Sequence, residues 1–139
     1  MAGWNEMVIE QFRAGQARIA DRFDREYLLL LHTVGARSGE PRLSPVAYKD
    51  DGGRLLIAAS AGGRPQHPSW YFNLVANPEV TVERWVDGQL VTQTAHATAP
   101  EGAERDRLWD EFTAWSPGFK DYEKSTDRRI PVIVLEPTS

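Results

Sequence analysis

The sequence predicts a mainly β domain with helices, an α+β fold whose mostly antiparallel strands, about six of them, close into a small barrel. Three observations predict it. Short apolar or alternating runs recur between turn signals from Tyr27 onward. Two of them, Glu79–Val86 and Gln89–Thr98, flank Asp87-Gly88, the strongest short hairpin signal available. Most consecutive runs are joined by such tight turns, which connect antiparallel neighbours and are too short to cross over to a parallel one. The 139 residues suit a single domain over 1–139, long enough to hold a core without disulfides or a structural metal.

Taken in order, Trp4, Met7, Val8, Phe12, Ile19 and Phe23 recur at helical steps or multiples of them, with a soft interruption at Gly15. They predict an N-terminal helix over residues 1–25, packed on the barrel. Residues 27–33 read as a buried strand, and Gly35 to Gly39 as the turn that follows. Residues 43–49 read as a second strand, with Pro45 at a bulge or edge because it has no N–H for a ladder. A turn at residues 50–53 leads into a third strand over 54–59, forming a hairpin with the second. Residues 60–68 are a Gly- and Pro-rich loop. A short helix over 68–76 starts on Pro68 and stops at Asn77-Pro78. After the Asp-Gly hairpin, Thr98 and Glu101 have capping-box spacing ahead of a helix over 100–115. Residues 116–129 read as a loop or short helix, and 130–135 as the last strand. The expectation is thus an N-terminal helix, two shorter ones and about six strands.

Composition excludes several functions. Lys plus Arg is 16 against 20 for Asp plus Glu, a net charge of −4, so no global positive field draws in nucleic acid. There is no cysteine, hence no thiolate metal site and no cysteine nucleophile. His32, His67 and His96 have no ligand spacing, and no metal is expected. No Walker loop and no Gly-x-Ser-x-Gly elbow is present. The longest wholly apolar run, Leu28 to Leu31, is far short of the roughly 20 residues a membrane span needs, so no stable membrane insertion is expected. Residues 1–10 lack the basic and apolar regions of a signal peptide, which makes the cytoplasm the expected location. Weak membrane association through the first helix is not favoured, because that helix is not strongly basic. What is left is chemistry that a bound cofactor supplies while the protein orients it.

Three stretches carry candidate chemistry. In Gly35-Ala36-Arg37-Ser38-Gly39-Glu40-Pro41-Arg42, two glycines allow a tight bend with outward N–H groups, and Arg37 and Arg42 offer forks suited to phosphate or carboxylate oxygens. Composition alone leaves a plain strand connection as the alternative. In the second stretch, Ala58, Ala59, Ser60, Ala61 and Gly62-Gly63 lead to Pro68-Ser69-Trp70-Tyr71-Phe72-Asn73, where a positively polarised helix start follows a backbone open to close approach. Trp70 and Tyr71 read equally well as core aromatics. The third stretch, Trp115-Ser116-Pro117-Gly118-Phe119-Lys120-Asp121-Tyr122, sets aromatics in a loop, where they wall a pocket more readily than a core.

Together these stretches, with Pro45, Ala76-Asn77-Pro78 and Thr126-Asp127-Arg128-Arg129-Ile130-Pro131-Val132, resemble the deazaflavin-dependent nitroreductase family from about Tyr27 to Pro137. The resemblance implies a split β-barrel and an oxidoreductase that uses reduced coenzyme F420, a deazaflavin. The electron-poor acceptor would be a quinone, an enone or lactone, or a nitroaromatic. It also implies the site. Ala36, Arg37, Ser38 and Arg42 would grip the phosphate and acidic tail, beside the backbone of Leu43, Ser44, Pro45, Val46 and Ala47. Ala58, Ala59, Ser60 and Ala61 would lie along the ring, and Ser69, Trp70, Tyr71, Phe72 and Asn73 would complete the cofactor site. Tyr122 is the candidate proton donor, with Ser60 second. Trp4, Met7, Phe119 and Tyr122 would shape the acceptor pocket. Barrels of this type often pair, and five tryptophans suit a homodimer interface.

The chain departs from the family at Ala36 and Ala61, where many members carry a basic residue. It also has Ser116 and Phe119 where members that reduce bulky nitro compounds carry tyrosines. Fewer phosphate contacts follow, and that nitro substrate is not carried over. Two alternatives stand beside the reductase: a non-catalytic F420-binding or carrier protein, and an FMN-dependent oxidoreductase on the same barrel.

Overall fold

The computed structural model describes residues 3–60 and 65–138. The chain runs α1 (Trp4–Arg13), β1 (Arg18–Ile19), β2 (Phe23–Asp24), a 3-10 turn (Arg25–Tyr27), β3 (Leu28–Val34), β4 (Pro41–Ala47), β5 (Lys49–Asp51) and β6 (Arg54–Ala58). It continues with α2 (Ser69–Ala76), β7 (Glu79–Val86), β8 (Gln89–Thr98), α3 (Gly102–Trp115), α4 (Phe119–Lys124) and β9 (Val132–Pro137). Strands β3 to β9 form one curled antiparallel sheet in the order β4-β3-β7-β8-β9-β6-β5, and β1 and β2 form a separate two-stranded ribbon. The expected barrel architecture is present, with more strands than the sequence suggested.

Strand periodicity sorts the apolar residues into three cores. Leu29, Leu31, Val82, Leu55, Ile57, Ile133 and Leu135 fill the inside of the curl. Leu56, Ala58, Val132 and Val134 point the other way and bury Leu108, Trp109 and Phe112 of α3. Leu28 and Leu30, on the outer face of β3, bury Val8 and Phe12 of α1. The four-leucine run is apolar throughout because both faces of β3 are covered.

Several expectations are corrected. The N-terminal helix stops at Arg13 rather than near residue 25. Gly15 N–H bonds Phe12 O and Gln16 N–H bonds Gln11 O, a Schellman stop with Gly15 at φ +81°. Gly15 also lies against Trp85, whose ring would be 3.3 Å from a Cβ there. Ile19 and Phe23 therefore belong to the β1–β2 ribbon. A second correction concerns residues 43–49, which are not one strand. Pro41–Ala47 pairs with β3, whereas Lys49–Asp51 pairs with β6. The break falls at buried Tyr48, whose N–H bonds Tyr27 O at 2.9 Å. The hairpin partner of β6 thus takes only Lys49 from the expected strand and is completed by Asp50 and Asp51 of the expected turn, and consecutive segments occupy the two edges of the sheet. Pro45 sits on edge strand β4, as its missing donor requires. No capping box forms: Thr98 stays in the β8–β9 ladder opposite Val134, and Glu101 is itself the N-cap without a side-chain bond. The last strand begins at Val132.

One polar cluster docks α1. Glu83 on β7 accepts from Arg13 at 2.7 Å and meets His32 Nε2 at 2.5 Å. Burial alone would push the Glu83 carboxyl up, but the bonds from Arg13 and His32 outweigh it and hold it below its ordinary range.

Candidate active site

The bend between β3 and β4 is built by its own backbone and one distant side chain. Gly35 N–H donates to Glu40 O at 2.8 Å, and Gly39 N–H to Gly35 O at 2.9 Å. A Cβ at Gly35 would stand 2.5 Å from Ser38 Oγ, so the closeness of this bend requires glycine. Ser38 Oγ accepts from Glu40 N–H at 3.1 Å and from Arg42 Nη2 at 3.4 Å. Buried Asn73 of α2 accepts Ala36 N–H at 2.9 Å and donates to Thr33 Oγ1 at 3.2 Å, fastening the helix to the bend. Arg42 has Glu40 at 3.8 Å, a loose and solvated pair. Arg37 makes no ion pair among the described residues.

Beside this bend opens a cavity of about 840 Å³. Ala36, Arg37, Ser38, Arg42, Leu43 and Ser44 form one wall, and Ser69, Trp70, Phe72 and Asn73 of α2 the other. A smaller chamber of about 280 Å³ adjoins it, with Trp70 common to both. Its walls are Pro45, Val46 and Ala47 of β4, Ala58 and Ser60 at the end of β6, Trp4 and Val8 of α1, and Phe119 and Tyr122 of α4. The two cavities lie side by side along β4, a groove divided at Trp70 with two arginines at one end and an aromatic chamber at the other. Its first part falls within the roughly 300–1,000 Å³ usual for cofactor sites. The donor set suits a long anionic molecule with a flat end: cationic forks and a hydroxyl at the bend, apolar and ring surfaces beyond.

The edge after β6 is held from behind. Arg128 Nη1 donates to Ala59 O at 2.9 Å and Nη2 to Ser60 O at 2.8 Å. His67 Nδ1 lies 2.7 Å from Arg128 Nη1, and its ring packs 4.5 Å from that of Tyr71. Burial, with the Arg128 charge adding to it, lowers the His67 pKa below its ordinary 6.5.

Most expected site residues line this groove, but three stand elsewhere. Ala59 is fully buried with its N–H on Pro131 O, because strand alternation puts Ala58 and Ser60 on the cavity side. Tyr71 turns away from Trp70 to pack on His67 and Phe72, and it lines a different cavity beside Pro131. Met7 packs against the core under α1, leaving the chamber to Trp4, Asn5 and Val8. Ala61 lies outside the described residues. Ser116 caps the end of α3 through its N–H on Phe112 O. Sequence reasoning missed Arg128, although it stands inside the quoted Thr126-to-Val132 motif. It also missed Leu28 and Phe23, which reach the chamber and carry no polar signal.

A curled antiparallel sheet of this kind is a split barrel, and its paired cavities suit a long, flat, anionic ligand. The chain belongs to the F420H(2)-dependent quinone reductase family, which it matches over residues 4–137. An F420H(2)-dependent quinone reductase of Mycobacterium tuberculosis (strain ATCC 25618 / H37Rv) is 40% identical over 108 residues, 77% of this chain and 71% of that protein. Among solved structures, an F420-H2 dependent reductase superposes with a TM-score of 0.67 at 37% identity, covering 79% of this chain and 94% of that one. A chain described as a domain-swapped dimer gives a TM-score of 0.69 at 35% identity, covering 92% and 95%. Membership makes this chain an F420-dependent reductase with coenzyme F420 as its cofactor. No helix among the described residues is long and apolar enough to cross a membrane.

Proposed function

We propose that this chain reduces a quinone with reduced F420 bound along the groove. The observation that carries the reading is that a cavity walled by Arg37 and Arg42 and a chamber walled by Tyr122 adjoin at Trp70. Arg37, Ser38 and Arg42 bind the phosphate and acidic tail. Ser69, at the polarised start of α2, supports the same anion. Pro45, Val46 and Ala47 line one side of the ring site, Ala58 and Ser60 another, and Trp70 closes it toward the tail. When bound, reduced F420 supplies a hydride. The protein brings the acceptor within reach between Trp4, Val8, Phe119 and Tyr122, and these side chains exclude water. The Tyr122 hydroxyl delivers the proton that completes the quinol, with the Ser60 hydroxyl as the second donor.

Ala36 brings no cation to the bend, and its N–H is held by Asn73, which shapes the bend instead. A solved relative described as a domain-swapped dimer supports a homodimer here, and the expected setting is the cytoplasm. The test is anaerobic oxidation of reduced F420 by menadione, with FMN as a control. Turnover with F420 and none with FMN supports the reading. Tight F420 binding without oxidation of any quinone assigns a carrier instead.

A further inference from the structure

Arg128 is not part of the groove lining, yet it determines how one wall is presented. Its two terminal nitrogens bond the successive carbonyls of Ala59 and Ser60 at 2.9 and 2.8 Å. A guanidinium only donates, so His67 Nδ1, 2.7 Å away, must accept, which puts the proton of a neutral ring on Nε2. That ring is wedged on Tyr71 and Phe72 of α2 at 4.5 and 5.6 Å. Arg128 N–H in turn bonds Thr126 Oγ1 at 3.1 Å, fixing the segment that carries it.

The bidentate grip has a geometric consequence. All described peptide bonds are trans, and a planar trans amide points its N–H opposite to its C=O. With the Ala59 carbonyl on Arg128, the Ser60 N–H points away from the guanidinium. Ser60 itself lines the chamber. A cation on the carbonyl end of an amide also polarises the N–H at the other end, because linked hydrogen bonds strengthen one another.

We infer that Arg128 is a positioning residue for hydride transfer: it orients and polarises the Ser60 amide as a donor to the electron-rich edge of the bound ring. This rests on the F420 reading above. Arg128 lies outside the described lining and acts through Ser60, while His67 holds the guanidinium in register.

The experiment uses the full chain as wild type, Arg128→Ala and Arg128→Lys. It reads single-turnover hydride transfer from reduced F420, the KM for menadione, the melting temperature, and recovery on adding methylguanidine. Without the oriented Ser60 amide the ring is held less well for in-line transfer, and small misplacements of reacting groups are costly, so Arg128→Ala is expected to lose about tenfold or more in transfer rate. The menadione KM should stay within about threefold, and methylguanidine should restore part of the rate. Lysine lacks the planar fork, so Arg128→Lys should fold and fall between the two. A wild-type rate in Arg128→Ala overturns the inference. So does a loss that methylguanidine leaves unchanged while the melting temperature falls, since that marks a merely structural anchor. If Arg128→Ala does not fold, a folded Arg128→Lys at the wild-type rate overturns it, and a slowed one with an unchanged melting temperature supports it. Failure of the F420 reading is distinct, because there the wild type itself would neither bind nor oxidise the cofactor.

Discussion

Asn73 on α2 accepts the Ala36 N–H at 2.9 Å, so a single buried amide ties the helix to the Gly35–Gly39 bend, 37 positions away. Asn73→Leu would leave the Ala36 N–H and Thr33 Oγ1 without this partner. The expected loss is about 1–3 kcal/mol of stability, read by urea unfolding. F420 should also bind roughly tenfold more weakly, a change of about 1.4 kcal/mol, because the bend loses its register. A variant with intact affinity would show that the bend positions itself.

Gly35→Ala tests the same bend from within. Its Cβ would meet Ser38 Oγ at 2.5 Å, so Ser38 must rotate and give up its bonds to Glu40 N–H and Arg42. Gly35 itself is buried, so the crowded methyl should also cost about 1–3 kcal/mol of stability, read by urea unfolding. F420 affinity should fall measurably in an equilibrium titration, while the menadione KM stays constant.

The sequence showed the anion-facing bend, the Asp87-Gly88 hairpin and the aromatic lining because each is written in local chemistry. Glycines, arginines and alternation are visible without knowing what lies across the sheet. The edge position of Pro45 was legible for the same reason. The end of α1 was not, because Ile19 and Phe23 keep helical spacing while the Schellman bonds at Gly15 redirect the chain. Nor was the division at Tyr48, since residues 43–49 read as one strand and only the closing sheet sends Lys49 and the following turn to a different partner. Tyr71 and Met7 lie off these cavities because one residue step, about 100° around a helix, separates a core face from a groove face, and tertiary contacts select between them. Arg128 was hidden because a charged residue near the end of a loop reads as solvated until the Ala59 and Ser60 carbonyls are seen in front of it.

The lowered pKa of His67 makes stability depend on pH in a defined direction. Burial and Arg128 favour its neutral form in the folded chain, while the unfolded chain titrates near 6.5. Below that value the unfolded state takes up the proton first, so stability falls as the pH drops from about 6.5 toward the folded pKa. Above about 6.5 the group contributes no slope. Urea unfolding of wild type and His67→Gln across this range should show a steeper acid decline in the wild type. Parallel curves would mean that His67 is equally free to protonate in both states.

Trp4 is half-exposed and lines the chamber, whereas Phe12 in the same helix is fully buried. Trp4→Ala should therefore leave the fold within about 0.5 kcal/mol of wild type, in keeping with an exposed position. It should raise the KM for menadione while F420 affinity stays constant. An unchanged KM would place the acceptor elsewhere.

The central claim is that Arg37 and Arg42 hold the charged tail of a cofactor whose ring lies beyond Trp70. The most direct measurement compares F420 with its deazaflavin chromophore lacking the phosphate and glutamate, titrated into wild type and the Arg37→Ala, Arg42→Ala double variant. A charge-assisted bond contributes about 1.5–3 kcal/mol, and solvent exposure places these two at the low end, about tenfold each. The wild type should bind F420 roughly a hundredfold more tightly than the chromophore alone, and the double variant should bind the two with similar affinity. A double variant that still prefers F420 as strongly as the wild type would contradict the account.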